Sequence, residues 1–372
     1  MRPVPRYLRG SARPLTELYD VALLDLDGVV YVGPDAVPGA PEALAAARAA
    51  GMRLAFVTNN AARPPHVVAD HLTELGIAAK APEIVTSAQA AARYLADRLP
   101  GGARVLVLGT TGLEQALQER GLIPVSDAEG QVDAVVQGYS PDMNWRLLAE
   151  GAVAINRRVL WVATNVDPTV PSPRGPLPGN GSLVAALRLA TGREPVVTGK
   201  PDPTMHRESL LRSEARDPIV VGDRLDTDIE GANAVGCDSL LVLSGVTRAL
   251  EAIEAPPKLR PTYLGWDVGA LLVAQPEPRI LDDGAVCGGW QAARVDSRGH
   301  PGLTLRKMAA RAVGSSETEQ RASDLDAWRA LCAAAWAAHP DSAATGLRVD
   351  QAGGADHDDD EVAAVIDRLG LG

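Results

Sequence analysis

The chain has 372 residues, a net charge of −11 and 46% hydrophobic but only 3% aromatic residues. That length allows two or three domains, while the acidic balance disfavours nonspecific nucleic-acid binding, which demands clustered Lys and Arg. Phe56 is the sole phenylalanine, so the core is built from Ala, Val and Leu, and no run approaches the ~18 apolar residues of a membrane-spanning helix.

Residues 1–19 are rich in Arg and Pro and read as a mobile lead-in ending in a short helix; they lack the apolar stretch of a signal peptide. From Val21 strands alternate with helices, the pattern of an α/β fold with a mainly parallel sheet. A strand over 21–26 is followed by a helix near 40–50, a strand over Arg53–Thr58 and a helix over 63–75. Pro64 and Pro65 fall in the first turn of that helix, where proline is tolerated. A second set follows: helix 87–98, strand 104–108, helix 112–120, strand 132–136, helix 143–155 and strand 159–163. A Pro- and Gly-rich loop, 165–181, leads to a helix over 182–191 with Ser182 as its N-cap. The first style then resumes with strand 196–198, helix 203–213, strand 218–221, helix 226–235 and strand 239–243.

This nesting predicts a doubly wound, Rossmann-like parallel-sheet core, 1–85 and 196–275, with an α/β module, 86–195, inserted in it. Gln275–Arg279 reads as a linker. Residues 276–372 form a small α+β extension: a strand-like segment Cys287–Val295, an Ala-rich helix over 322–338, an Asp-rich stretch over 356–361 and a last helix over 361–369. Cys237, Cys287 and Cys332 lack metal-ligand spacing and read as reduced thiols of a cytoplasmic protein.

Four segments carry chemistry. Asp25-Leu-Asp27-Gly28 ends the first strand, and i, i+2 spacing points both acids to one face. Like charges there persist with a cation or a shared proton. Thr58-Asn59-Asn60 ends the second strand, although Thr and Asn also suit plain turns. Gly199-Lys200-Pro201 holds one of only four lysines; that rarity, the Gly199 and Pro201 flanks and the place before the final acidic motif favour a functional Lys200 over a solvent-facing one. Val220-Val221-Gly222-Asp223 is another strand running into acids, with Asp228 five residues on; Asp226 reads as a helix cap. In a parallel sheet such strand ends meet in one crevice. Gly109–Gly112 lacks the remaining glycines of a dinucleotide loop, and Gly179–Ser182 is no nucleophile elbow. The acidic run His357–Glu361 reads as a solvated face at a helix start.

These four motifs, in this order, resemble the class IIA branch of the haloacid dehalogenase superfamily of phosphatases over residues 18–270. The branch includes glycerol-3-phosphate, pyridoxal-phosphate and nucleotide phosphatases, and the chain is most like the first of these. The resemblance implies that Asp25 is the nucleophile, forming an aspartyl-phosphate. Asp27 is then the general acid for the leaving alcohol and the base for water. Mg²⁺ is held by Asp25, by the main-chain carbonyl of Asp27 and by Asp223, with Asp228 holding one of its waters. Thr58 and Asn59 offer hydroxyl, amide and main-chain donors to the phosphoryl oxygens, Asn60 helps shape the loop, and Lys200 adds a point charge.

In that family the inserted module is a cap that excludes water and reads the leaving group. Asn165-Val-Asp167-Pro168 is similar to a segment typical of such caps, which makes Asp167 a candidate for substrate binding beside the alternative of a structural Asx-turn. The expected activity is Mg²⁺-dependent hydrolysis of a small phosphate ester, glycerol 3-phosphate first, with pyridoxal phosphate or a nucleoside monophosphate as alternatives. The extension departs from the family. It resembles a truncated acetyltransferase-like fold without the acyl-CoA loop, and is expected to serve packing or homo-oligomerisation rather than a second, bifunctional or sensing role.

Overall fold

A computed structural model describes residues 8–170, 172, 174–297, 300–308, 316–352 and 359–371. Residues 1–7 of the lead-in over 1–19 and the start of the acidic run, 357–358, lie outside the described residues. The chain divides into two compact units, Met1–Leu54 with Arg216–Gly372, and Ala55–Ala215.

In the first unit four parallel strands adjoin in the order Tyr263–Gly265, Asp238–Val242, Pro218–Gly222, Val21–Asp25. Val21 to Leu24 is a continuous apolar run with every residue fully buried, as a parallel strand covered on both faces requires. Leu24 lies beside Val221 in the ladder, so Asp25 emerges next to Gly222 and Asp223. Where one helix was expected over 226–235, the chain makes a turn of π-helix, Leu225–Ile229, and then a short α-helix, Glu230–Val235. Asp226 caps nothing there; it accepts two bonds from the Arg224 guanidinium at 3.1 and 2.8 Å on the surface.

The extension belongs to the same unit. Its sheet runs Arg279–Leu281, Gly284–Cys287, Trp290–Ser297, His300–Lys307, Arg348–Gln351, antiparallel except for the last pair. The single strand expected over Cys287–Val295 is instead a hairpin. Cys287 pairs with Trp290, and Gly288 turns the chain at φ 55°, a conformation open to glycine. The long helix begins at Glu317 rather than 322, because Ser316 and Glu319 form a reciprocal capping box. Its Trp328, Leu331 and Trp336 share one core with Ile229, Leu241, Ala252 and Leu264 of the parallel-sheet region. The expected linker is packed in place: Gln275 is 2% exposed, and it exchanges main-chain bonds with Ser11 at 2.7 and 3.0 Å.

The second unit holds a five-stranded parallel sheet in the order Val196–Val197, Leu160–Ala163, Ala134–Gln137, Arg104–Leu108, Ile123–Val125. Helices Ser87–Ala96 and Thr111–Glu119 bury Ala91, Leu95, Leu113 and Leu117 on one face. Trp145–Asn156 and Asn180–Thr191 bury Ile155, Val184 and Leu187 on the other. The last helix starts at Asn180 with Gly179 as its N-cap, and the Ser182 hydroxyl donates to Pro168 O at 2.7 Å instead. Two parallel sheets flanked by helices, with the α+β extension, give the α/β architecture that the alternation predicts. Among the described residues no helix is long and apolar enough to cross a membrane.

Candidate active site

In the first unit Asp25, Asp223 and Asp228 bring carboxylate oxygens within 4.8 Å of one another. Asp223 and Asp228 are fully buried, while Asp25 is half-buried. Three carboxylates at this separation repel strongly unless a cation offsets their charge. Hard oxygen donors in a compact set fit Mg²⁺. Space for the set comes from missing side chains. A Cβ on Gly28, which sits at φ 86°, would lie 2.4 Å from Asp223 Oδ2, and one on Gly222 would lie 2.2 Å from Asp228 Cβ.

The strand stops at Asp25, one residue short of expectation, so strand alternation does not set how Asp25 and Asp27 relate. Asp27 is exposed on a turn instead, closed by Gly28 N donating to Tyr31 O at 2.8 Å. The Asp228 carboxylate stands within the acidic set and also accepts from Arg224 N at 3.2 Å.

A loop that the motifs did not single out grips Asp223. Val246 N donates to Asp223 Oδ2 at 2.7 Å, Thr247 N donates to Asp223 O at 3.1 Å, and the Ser244 hydroxyl donates to Gly28 O at 2.7 Å. Its one sequence signal is a Ser-Gly pair just past the Asp238–Val242 strand.

In the second unit Thr58 ends its strand 4% exposed. Its hydroxyl oxygen accepts from Asn60 N at 3.1 Å, which leaves its proton to donate. Asn60 accepts from Ala62 N at 2.8 Å, an Asx-turn that shapes the loop as expected. Asn59 behaves differently from expectation, because its side-chain amide is committed within the protein. Asn59 Oδ1 accepts from Lys200 N at 2.8 Å, and Nδ2 donates to Lys200 O at 3.2 Å and to Asp167 Oδ2 at 3.3 Å. Both residues are thus fixed through one side chain.

Lys200 is 4% exposed, with Nζ donating to Val57 O at 3.5 Å. The Asx-turn near Asp167 is made by Asn165, whose Oδ1 accepts from Asp167 N at 3.2 Å.

His206 was not anticipated. It is 1% exposed, and neither ring nitrogen has a hydrogen-bond partner among the described residues. Burial, and secondarily the Lys200 charge, hold its pKa down at about 3. An unfolded histidine titrates near ~6.5, so between these values the unfolded chain binds a proton that the folded chain refuses. Stability from this group is therefore complete above about pH 6.5 and falls on acidification, by up to about 1.4 kcal/mol per pH unit. His206→Leu is expected to flatten the acid limb of a Tm-against-pH curve; an unchanged slope would show that His206 is not held neutral.

Residues 22–123 match the model of the haloacid dehalogenase-like hydrolases, and residues 197–271 match a HAD-hydrolase-like model. The chain is 47% identical over 327 residues to the D-glycerol 3-phosphate phosphatase of Mycobacterium tuberculosis, covering 84% of this chain and 90% of that protein. It is 36% identical to an acid sugar phosphatase of Staphylococcus saprophyticus, over 68% of this chain and 97% of that protein. A glycerol phosphate phosphatase from Mycobacterium tuberculosis, solved in complex with magnesium, superposes with a TM-score of 0.81 at 42% identity and covers 97% of this chain and 99% of its own. For a p-nitrophenyl phosphatase from Archaeoglobus fulgidus the TM-score is 0.63 at 30% identity, with 68% of this chain and 98% of that one covered. The chain belongs to the haloacid dehalogenase-like hydrolases, and it is a Mg²⁺-dependent phosphatase of that family.

Proposed function

We propose that the enzyme hydrolyses glycerol 3-phosphate to glycerol and phosphate through an aspartyl-phosphate on Asp25. The observation that carries this reading is the 47% identity over 327 residues to a protein named for D-glycerol 3-phosphate. The side chains support the wider phosphomonoester class: a buried acidic set suits a hard cation, and Lys200 with Thr58 suits an anionic phosphoryl group.

Asp25, the Asp27 carbonyl and Asp223 would hold Mg²⁺, with Asp228 bonding one of its waters, and the ion would offset the repulsion between carboxylate and phosphate. An Asp25 oxygen attacks phosphorus, and the bond from phosphorus to the glycerol oxygen breaks. Asp27 gives that oxygen its proton, then takes one from the water that cleaves the aspartyl-phosphate. The Thr58 hydroxyl, the Asn59 main-chain N–H and the Lys200 ammonium hold the phosphoryl oxygens. Asn60 maintains their turn, and Asp167 accepts from a glycerol hydroxyl.

The core is assigned to 1–85 and 196–275, leaving-group selection to the cap, 86–195, and the remainder to the extension, 276–372. Three buried cysteines outside any disulfide support a reducing, cytoplasmic setting.

The substrate assignment is tested by phosphate release from glycerol 3-phosphate, glucose 6-phosphate, pyridoxal phosphate and a nucleoside monophosphate. Glycerol 3-phosphate is expected to give the highest kcat/KM by about tenfold or more. A higher value for any of the others overturns the assignment.

A further inference from the structure

We infer that the C-terminal extension steadies the loop that grips Asp223, with Trp328 as a positioning residue for Mg²⁺ binding. The inference rests on the acidic set being the Mg²⁺ site.

At its middle the loop over 244–247 has little side-chain anchorage. Gly245 has no side chain, a Cβ there would lie 2.0 Å from Asp223 Oδ2, and Val246 is 63% exposed. On its far side the loop runs into the helix Ala249–Ile253. At five residues this helix is too short to persist without tertiary support.

That support comes from the extension. The Trp328 indole N–H donates to Ala249 O, and the Trp336 indole N–H donates to Ala252 O, both at 3.1 Å. Both tryptophans are fully buried, in one core with Ala249, Ala252 and Ile253. Past the helix, Glu254 O accepts from Ala344 N at 3.1 Å and Glu254 Oε1 accepts from Leu347 N at 2.9 Å. The buried Arg260 guanidinium donates to His339 O at 2.6 Å and Ser342 O at 2.9 Å. A continuous path of bonded groups therefore runs from Trp328 to Ala249, back two residues to Thr247, and from Thr247 and Val246 to Asp223.

Trp290 supplies the matched control. It is equally buried in the same core, but its indole donates to Ser323 Oγ at 2.9 Å, inside the extension. Trp→Phe at either position removes one indole hydrogen bond, buried at Trp328 and part-buried at Trp290, and similar bulk; only at Trp328 does that bond hold the helix behind the metal loop.

The test uses full-length Trp328→Phe and Trp290→Phe, with Mg²⁺ titrated calorimetrically in the absence of substrate and metal-free Tm measured alongside. Both substitutions are expected to lower the metal-free Tm. Trp328→Phe is expected to weaken Mg²⁺ binding by about three- to tenfold, the scale of one hydrogen bond, and Trp290→Phe to leave it within about twofold. Equal losses in the two variants, or unchanged affinity in Trp328→Phe, overturn the inference. Should Trp328→Phe fail to fold, Trp336→Phe is measured against the same control with the same expectations. Absence of Mg²⁺ binding by the wild-type chain would instead overturn the metal reading beneath it.

Discussion

Asp25→Asn is expected to reduce Mg²⁺-dependent phosphate release by about 10⁴-fold or more, the scale seen when a covalent nucleophile is removed. The amide is nearly isosteric but cannot attack phosphorus to form an acyl phosphate. The substitution has a second, opposite signature. Asp25 is one of three carboxylates within 4.8 Å, the other two fully buried, so neutralising it relieves repulsion in the metal-free protein. The metal-free Tm should therefore rise while the Tm gain on adding Mg²⁺ shrinks, since ligand-linked stability follows affinity. Phosphate release with paired melting curves, with and without Mg²⁺, checks both. Activity within about tenfold of wild type would show that Asp25 is not the nucleophile.

Lys200→Met is expected to lower kcat/KM by about 10²- to 10³-fold, the usual loss for one preorganised charge partner of a reacting oxyanion. Methionine keeps much of the aliphatic stem, and the Asn59 bonds to residue 200 use main-chain atoms, so the loop survives the change. What disappears is an ammonium group on a side chain only 4% exposed, where charge acts in a low dielectric. Lys200→Arg is not expected to restore activity, because a planar fork cannot occupy a site built around a compact point charge. Removing the charge should also ease protonation of His206, whose low pKa owes its second contribution to Lys200. Steady-state kinetics check the first effect. An ordinary kcat/KM in Lys200→Met would remove Lys200 from the reaction.

Most of the strand and helix pattern could be read from periodicity, because buried parallel strands such as Val21–Leu24 and Val105–Leu108 are short apolar runs between turn residues. The acidic set was likewise visible, since strand ends carry their following residues to one crevice. Features set by side-chain geometry were not. The commitment of Asn59 to Lys200 and Asp167 depends on partners more than 100 residues away, and an Asn in a turn carries no sign of it. The Ser244–Thr247 grip on Asp223 is made largely by main-chain N–H groups, which every residue but proline carries. The break of helix 226–235 into a π-turn and a short α-helix leaves periodicity nearly unchanged. In the extension, a Gly-Gly pair within one apolar stretch hid a hairpin, although two-residue glycine turns are the common way to make one.

The covalent route through Asp25 is tested most directly by the stereochemical course at phosphorus, using a glycerol 3-phosphate ester made chiral with oxygen isotopes and sulfur. Two successive in-line displacements, onto Asp25 and then onto water, predict overall retention of configuration. Inversion would mean that water attacks the substrate directly, and would contradict the aspartyl-phosphate account.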